Sequence, residues 1–188
     1  ERYEGSELAL EDFIITCLGE DALVIYKTMR EQRNKVIEEK ELFGSSSVGS
    51  GQLINLEYVS ANPTGYLHIG HGRGAAYGDS LSRIMKKAGY GVVREHYVND
   101  AGNQITNMAL SIYERYKELY GLPFELKDDY YHGKEIITIA EKVRNEYGDK
   151  FLDSFDLEFF KQYGTNILLN NLKEDLKRFN VNFDIWFS

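Results

Sequence analysis

The sequence contains a single cysteine, Cys17, which excludes an internal disulfide and fits a reducing, cytoplasmic location. It also lacks any apolar run near the roughly 20 residues that cross a bilayer, so we expect no membrane-spanning segment. The amino terminus carries neither an initiator Met nor the charged-then-apolar pattern of a secretion signal. We therefore expect a piece of a longer chain.

Basic residues are also fewer than acidic residues. The chain has 22 Lys and Arg against 30 Asp and Glu, a formal net charge of −8 at pH 7. Because nucleic-acid phosphates attract Lys and Arg, this balance argues against a simple nucleic-acid-binding domain. An RNA partner would be held mostly by sequence outside this chain or by a local basic patch. Arg83, Lys86 and Lys87 are candidates for that patch, although solvation of an exposed helix face explains them better.

The middle of the chain alternates strand and helix patterns. Residues 53–59 and 92–98 are predicted strands, and residues 69–88 are a predicted helix closed by Gly89. A strand–helix–strand unit places its strands in a parallel sheet and its ligands at their carboxyl ends, where residues 99–103 form a loop. We therefore expect an α/β fold that contains the first half of a Rossmann-like parallel sheet.

The flanking segments predict helices. A helix is predicted from Asp21, as its N-cap, to about Leu42, with Gly44 beyond its end. Residues 7–19 fit either a strand or a helix, and the Ser- and Gly-rich residues 45–51 predict a hinge or an exposed loop.

Three apolar stripes at helical spacing predict a helical insertion, and residues 183–187 predict a last strand. The stripes are Ile112, Tyr116 and Leu119; Ile136, Ile137, Ala140 and Val143; and Leu168, Leu172, Leu176 and Phe179. The expected divisions are 1–45 (amino-terminal extension and linking helix), 46–104 (strand–helix–strand half), 105–180 (insertion) and 181–188 (return strand).

Two of the four histidines, His68 and His71, lie three positions apart at the start of the predicted helix and so share a face. The free amides and positive dipole end of a helix start favour an anion. Gly70 and Gly72 allow a ligand to approach the backbone closely. The cluster predicts a phosphate site with two imidazole donors.

Three other interpretations of this cluster remain open. In the first, the histidines only cap the helix and the glycines only allow tight helix–sheet packing. In the second, Gly70, Gly72 and Ala75 form a dinucleotide-binding pattern, although the loop that precedes them makes the match poor. In the third, the histidines bind a metal. No third ligand lies nearby at a suitable spacing, so we expect no metal site.

Residues 68–71 spell H-I-G-H, which is typical of class I aminoacyl-tRNA synthetases, and related H-x-G-H motifs occur in small nucleotidyltransferases. Residues 57–79 resemble the arginyl-tRNA synthetase pattern E-x-V-S-A-N-P-T-G-x-L-H-I-G-H-x-R-G-A-A-x-G-D almost letter for letter. Residues 97–104 match a second block of that family, and residues 183–188 are similar to a third. One departure is Tyr66, at a place that the bacterial family usually gives to Pro.

The resemblance implies that an arginine carboxylate attacks the α-phosphate of ATP, which Mg²⁺ accompanies. The arginyl-adenylate is then transferred to the 3′ end of tRNA. His68 and His71 would be the catalytic residues and, with Gly70 and Gly72, would bind ATP.

The resemblance also implies arginine contacts from Glu57 and Asn62, with Ser60 as a weaker candidate. From the residues alone, a surface ion pair explains Glu57 and an Asx turn explains Asn62. Further candidates in the loop after the second strand are Asn99, Asp100 and Gln104, although turn formation and helix capping explain these nearly as well.

Two further parts of such a synthetase are missing from the chain, namely its second ATP signature (K-M-S-K-like) and its anticodon-binding domain. We therefore expect a parent arginine–tRNA ligase, monomeric, of which this piece alone has little activity. The alternatives are a small H-x-G-H nucleotidyltransferase, which would turn over without tRNA, and a nucleotide-binding relic without catalysis.

Overall fold

The computed structural model describes residues 7–188, with side chains from residue 10 onward, and divides into two compact units, residues 1–46 and 47–188. The first unit contains α1 (Glu7–Leu18), α2 (Glu20–Glu39) and a 3₁₀ turn (Lys40–Leu42). Residues 7–19 therefore form a helix rather than a strand over their described part. Among the described residues, no helix combines the length and the apolar character needed to cross a membrane.

The prediction that Asp21 caps the second helix was wrong. Gly19, with φ of 87°, breaks the chain between the two helices, and α2 begins at the next residue. Asp21 therefore lies inside the first turn, where its charge favours the positive end of the helix dipole. The helix also ends at Glu39, before the predicted Leu42.

The second unit is built on a parallel sheet of three strands in the order β1 (Leu53–Glu57), β2 (Gly91–Tyr97) and β3 (Ile185–Phe187). Strand β1 pairs with β2 from Leu53 beside Gly91 to Glu57 beside Glu95. It ends two residues before the predicted Val59, because Val59 and Ser60 take positive φ angles of 68° and 39°. The predicted α/β class with a parallel sheet is confirmed.

Four helices complete the second unit: α3 (Ile69–Lys87), α4 (Asn103–Glu118), α5 (Lys134–Tyr147) and α6 (Leu157–Arg178). Helix α3 connects β1 to β2, as the sequence predicts. Helices α4, α5 and α6 pack on one another through a core in which Tyr116 and Phe160 are fully buried.

Most residues of the predicted apolar stripes lie in or against that core, but Leu172 and Leu176 belong to a second core and Ile137 to neither. Phe179 is 55% exposed, because α6 ends at Arg178 and Phe179 is its C-cap residue. A second, smaller core includes Ala61 and Ala75 and packs against Trp186 of β3.

Part of the Ser- and Gly-rich segment is packed rather than exposed. Gly49 is buried, and its N–H donates to the carbonyl oxygen of Ala88 (2.9 Å). A Cβ at Gly49 would lie 2.6 Å from the ring of Tyr90, so only glycine allows this contact. The boundary between the two units falls earlier in the segment, after Ser46.

An ion pair holds β3 against β2. The Asp184 carboxylate accepts hydrogen bonds from the Arg94 backbone N–H (2.9 Å), Nε (2.9 Å) and Nη2 (2.7 Å), and Asp184 N–H donates to the Arg94 carbonyl. These hydrogen bonds from Arg94 lower the pKa of Asp184 to about 2, despite partial burial.

We expect Asp184→Asn to lower the free energy of unfolding by about 1 kcal/mol, since it removes the charge of a partly exposed ion pair but keeps the shape of the side chain. Urea denaturation at pH 7 measures this, with the exposed Asp128→Asn as the control. Because the folded pKa lies below the ordinary value of 3.8, the contribution is present above pH 3.8 and is lost as the pH falls towards 2. Equal stabilities of the two variants at pH 7 would contradict the prediction.

Candidate active site

The two histidines of the H-I-G-H motif cap the start of α3. His68 is the N-cap residue, and its Nδ1 accepts a hydrogen bond from Gly70 N–H (3.1 Å). His71 reaches back, and its Nδ1 accepts from His68 N–H (3.2 Å). The two rings stack with centroids 3.8 Å apart and an interplanar angle of 25°. The capping interpretation is therefore correct as a description of the local structure.

Capping fixes the chemical state of both rings. Because each Nδ1 accepts from a backbone N–H, each neutral imidazole carries its proton on Nε2. Burial, and next the neighbouring His68, lower the pKa of His71. Two neutral rings at a positive helix end, each with an Nε2–H left over as a donor, have the chemistry that binding of an anion requires. Capping and anion binding are thus compatible.

Glycine suits the two positions of the motif for different physical reasons. A Cβ at Gly70 would lie 2.9 Å from Cε1 of His68, so the capping ring itself requires glycine there. A Cβ at Gly72 would have no atom within 4 Å, so that position opens onto free space where a ligand can approach. Tight helix–sheet packing instead involves Gly78, whose Cβ would overlap the Tyr58 ring.

The residues expected to contact arginine lie where β1 ends. The Glu57 carboxylate accepts a hydrogen bond from Ser60 Oγ (2.7 Å), which in turn accepts from Tyr97 N–H (3.2 Å). Ser60 therefore links the carboxyl ends of β1 and β2. Glu57 is exposed and takes part in none of the ion pairs of the described residues, so the surface ion-pair interpretation is wrong.

Asn62 pairs with another candidate from the sequence. Its Nδ2 donates to Oε1 of Gln104, in the first turn of α4. The Thr64 N–H bonds to the Asn62 main-chain carbonyl oxygen (2.9 Å) rather than to its side chain, so no Asx turn forms there. The structure thus brings together two residues that lie far apart in the sequence.

The other loop candidates lie elsewhere. Asp100 Oδ2 accepts a hydrogen bond from Ser188 Oγ (2.6 Å) and lines a groove of about 530 Å³ between the loop after β2 and α6. Asn99 is half-buried. Neither residue lines the pocket at the histidines.

That pocket, of about 340 Å³, is here called the histidine pocket. It is lined by Asn62, Thr64, Gly65, Tyr66, His68, His71, Tyr131 and Glu135. Tyr131 and Glu135 were missed by the sequence analysis, because no local pattern links them to the motif. In the described part of the chain, no group of three or more His, Cys, Asp or Glu side chains is arranged to hold a metal ion.

The model of the family "tRNA synthetases class I (R), catalytic domain" matches residues 32–186. The chain belongs to this family. The arginine–tRNA ligases of Bacillus subtilis (strain 168) and Bacillus licheniformis are each 49% identical to it over 156 residues, which cover 81% of this chain and 28% of each relative.

A solved structure from Campylobacter jejuni, assigned as an arginyl-tRNA synthetase, superposes with a TM-score of 0.75 and 33% identity. The superposition covers 84% of this chain and 35% of that protein. The chain therefore spans just over a quarter of the length of the curated relatives that it matches. Of the H-x-G-H families considered from the sequence, the synthetases are the one that the comparisons support.

Two other residues of this domain, Arg83 and His96, make structural contacts. Arg83 forms an ion pair with Asp79 (Nε to Oδ2, 2.5 Å) and donates to the Asn180 carbonyl, so part of its hydrogen-bonding capacity is used within the domain. His96 is fully buried and stacks on Trp186 with centroids 4.5 Å apart.

Burial lowers the pKa of His96 to about 4; weak contacts with its own and the next residue's backbone oppose this only in part. Neither ring nitrogen has a partner at hydrogen-bond geometry, which fits a packing role.

We expect His68→Asn to raise the pKa of His71 part of the way towards 6.5, because Asn can still cap the helix while the neighbouring imidazole is removed. The shift is only partial, since burial is the larger cause. Titration of the ring ¹⁵N signals by NMR measures it. The cap that His71 forms is present above pH 6.5 and is lost as the pH falls, since protonation occupies Nδ1. An unchanged or lower pKa in the variant would contradict this.

Proposed function

We propose that the protein containing this chain is an arginine–tRNA ligase that forms arginyl-adenylate from arginine and ATP and transfers the arginine to the 3′ end of tRNA. The observation that carries the proposal is the pair of capping imidazoles with free Nε2 donors at the start of α3, in a chain of the class I (R) family. The same activity places the protein in the cytoplasm, where tRNA is charged. We further propose a monomer.

In this mechanism the nucleophile is the carboxylate of the substrate, so the protein needs no nucleophilic side chain. Its task is to position two substrates and to stabilise charge on the α-phosphate as pyrophosphate leaves. His68 and His71 donate from Nε2 to phosphate oxygens, and Gly72 leaves room for the nucleotide beside the helix. Mg²⁺ bound to the ATP substrate would neutralise part of the phosphate charge.

Arginine would lie at the carboxyl end of β1. The Glu57 carboxylate, exposed and held by Ser60, is the acceptor for one of the cationic groups of arginine. Asn62 lines the histidine pocket and offers its side-chain oxygen, while Gln104 holds its amide. A loop with two non-glycine residues at positive φ is a rigid support for such contacts.

Most tRNA contacts would come from sequence outside this chain, because the net charge here is −8. We also propose the division expected from the sequence: 1–45 as extension and linking helix, 46–104 as the strand–helix–strand half, 105–180 as insertion and 181–188 as return strand. The isolated chain is expected to charge tRNA weakly or not at all.

The proposed function is tested by charging tRNA with each amino acid in turn, using the full-length protein. Arginyl-tRNA is the expected product, and His71→Asn should lower kcat by about 10² to 10³, the cost of removing one donor to a developing charge. The exposed His132→Asn is the matched control. Charging with another amino acid, or equal kcat values for the two variants, would refute the proposal.

A second prediction concerns the amino acid. Glu57→Gln should raise the KM for arginine about tenfold or more and leave the KM for ATP unchanged, because only a charge-assisted hydrogen bond to the cation is lost. Steady-state charging with each substrate varied separately measures both constants. Glu125→Gln, on the exposed loop before α5, is the control. A change confined to the KM for ATP would instead assign Glu57 to the nucleotide.

A further inference from the structure

The helical insertion forms one wall of the histidine pocket. Tyr131 lines it from the loop before α5 and Glu135 from the first turn of α5, while His68 and His71 line it from the start of α3. The chemistry of the proposed function assigns no role to Tyr131 or Glu135.

The carboxylate of Glu135 sits between two glycines. It lies back over Gly133, where a Cβ would be 2.2 Å from its Oε1, and beside Gly65, where a Cβ would be 3.2 Å from the same atom. The Glu135 side chain is half-buried and makes no hydrogen bond or ion pair within the described residues. A ligand with hydrogen-bond donors would supply the partner that this carboxylate lacks.

The wall is held in place by a chain of hydrogen bonds that runs through Ser111. Ser111 on α4 is fully buried; its Oγ accepts from Tyr131 N–H (2.8 Å) and donates to the Asn107 carbonyl (2.5 Å). Asn107 Nδ2 donates to the backbone and side-chain oxygens of Asp129 (3.3 and 3.0 Å). The loop that carries Tyr131 is therefore fixed on α4 before any ligand binds.

The charges of the pocket determine which part of a ligand can bind beside Tyr131 and Glu135. Phosphates belong at the imidazole donors and are repelled by a carboxylate, so the group beside Glu135 carries donors and no negative charge. Tyr131 lines the same wall, and Tyr66, which is 53% exposed, lines the pocket next to Gly65. A base stacks on an aromatic ring, and ribose hydroxyls donate to a carboxylate.

We propose, on the basis of the proposed function, that Glu135 and Tyr131 bind the nucleoside part of a substrate, with ribose hydroxyls on Glu135 and the base against Tyr131. Two substrates carry this chemistry, ATP and the 3′-terminal nucleotide of tRNA. The wall is thus a binding surface that the insertion contributes to the active site.

The test uses the full-length protein with Glu135→Gln, which keeps the shape of the side chain and removes its charge, and Tyr131→Ala, which removes the ring. The KM values for ATP, tRNA and arginine are measured separately in tRNA charging. Glu141→Gln, exposed on the same helix, is the matched control, and thermal unfolding checks that each variant is folded.

Glu135→Gln and Tyr131→Ala should each raise the same KM about tenfold, that for ATP or that for tRNA, and should leave the KM for arginine unchanged. The substrate whose KM rises identifies the source of the nucleoside. A rise confined to arginine, or no rise in folded variants, would overturn the inference while leaving the proposed function intact. A wild-type protein that does not charge tRNA with arginine would overturn the proposed function itself.

Discussion

The reciprocal hydrogen bonds between the first backbone amides of α3 and the Nδ1 atoms of His68 and His71 are the constraint on which the site depends. A helix start must satisfy its free N–H groups, and Ser, Thr, Asp or Asn usually does so. Here the cap is imidazole, which has a second nitrogen. Because one nitrogen satisfies the backbone, the other remains as a donor in rings that line the histidine pocket, so the same hydrogen bonds that start the helix also set the state of the proposed ligand contacts.

The parallel pairing of β1 with β2 places the remaining candidates. Because their carboxyl ends lie side by side, one hydroxyl, that of Ser60, can bond to Glu57 and to the Tyr97 backbone together. The loop then turns through Val59 and Ser60 at positive φ, which costs free energy at non-glycine residues. Such strain persists only where surrounding contacts fix the loop, and the Ser60 bridge and the Asn62–Gln104 hydrogen bond supply those contacts.

The sequence was informative where structure is local or periodic. The strand–helix–strand unit and the shared face of His68 and His71 follow from periodicity, and both are confirmed. The prediction of an N-cap at Asp21 was wrong because Gly19 breaks the chain and α2 begins directly after it. Helix propensities do not indicate which of two nearby candidate residues will be the N-cap. The Asn62–Gln104 contact and the approach of Glu135 to Gly65 depend on tertiary packing between distant segments, which a single sequence does not encode in a readable pattern.

The pocket divides into a donor half and an acceptor half, and that division limits how substrates can be arranged. Neutral imidazole donors occupy the α3 side, whereas the Glu135 carboxylate lies on the insertion side; Glu57, at the end of β1, does not line this pocket. Under the proposed function, a phosphate would bind on the first side and hydroxyl groups on the second. The acidic composition argues against RNA binding over the whole surface. Under the proposed function, the charge of Glu135 would keep phosphates on the imidazole side of the pocket.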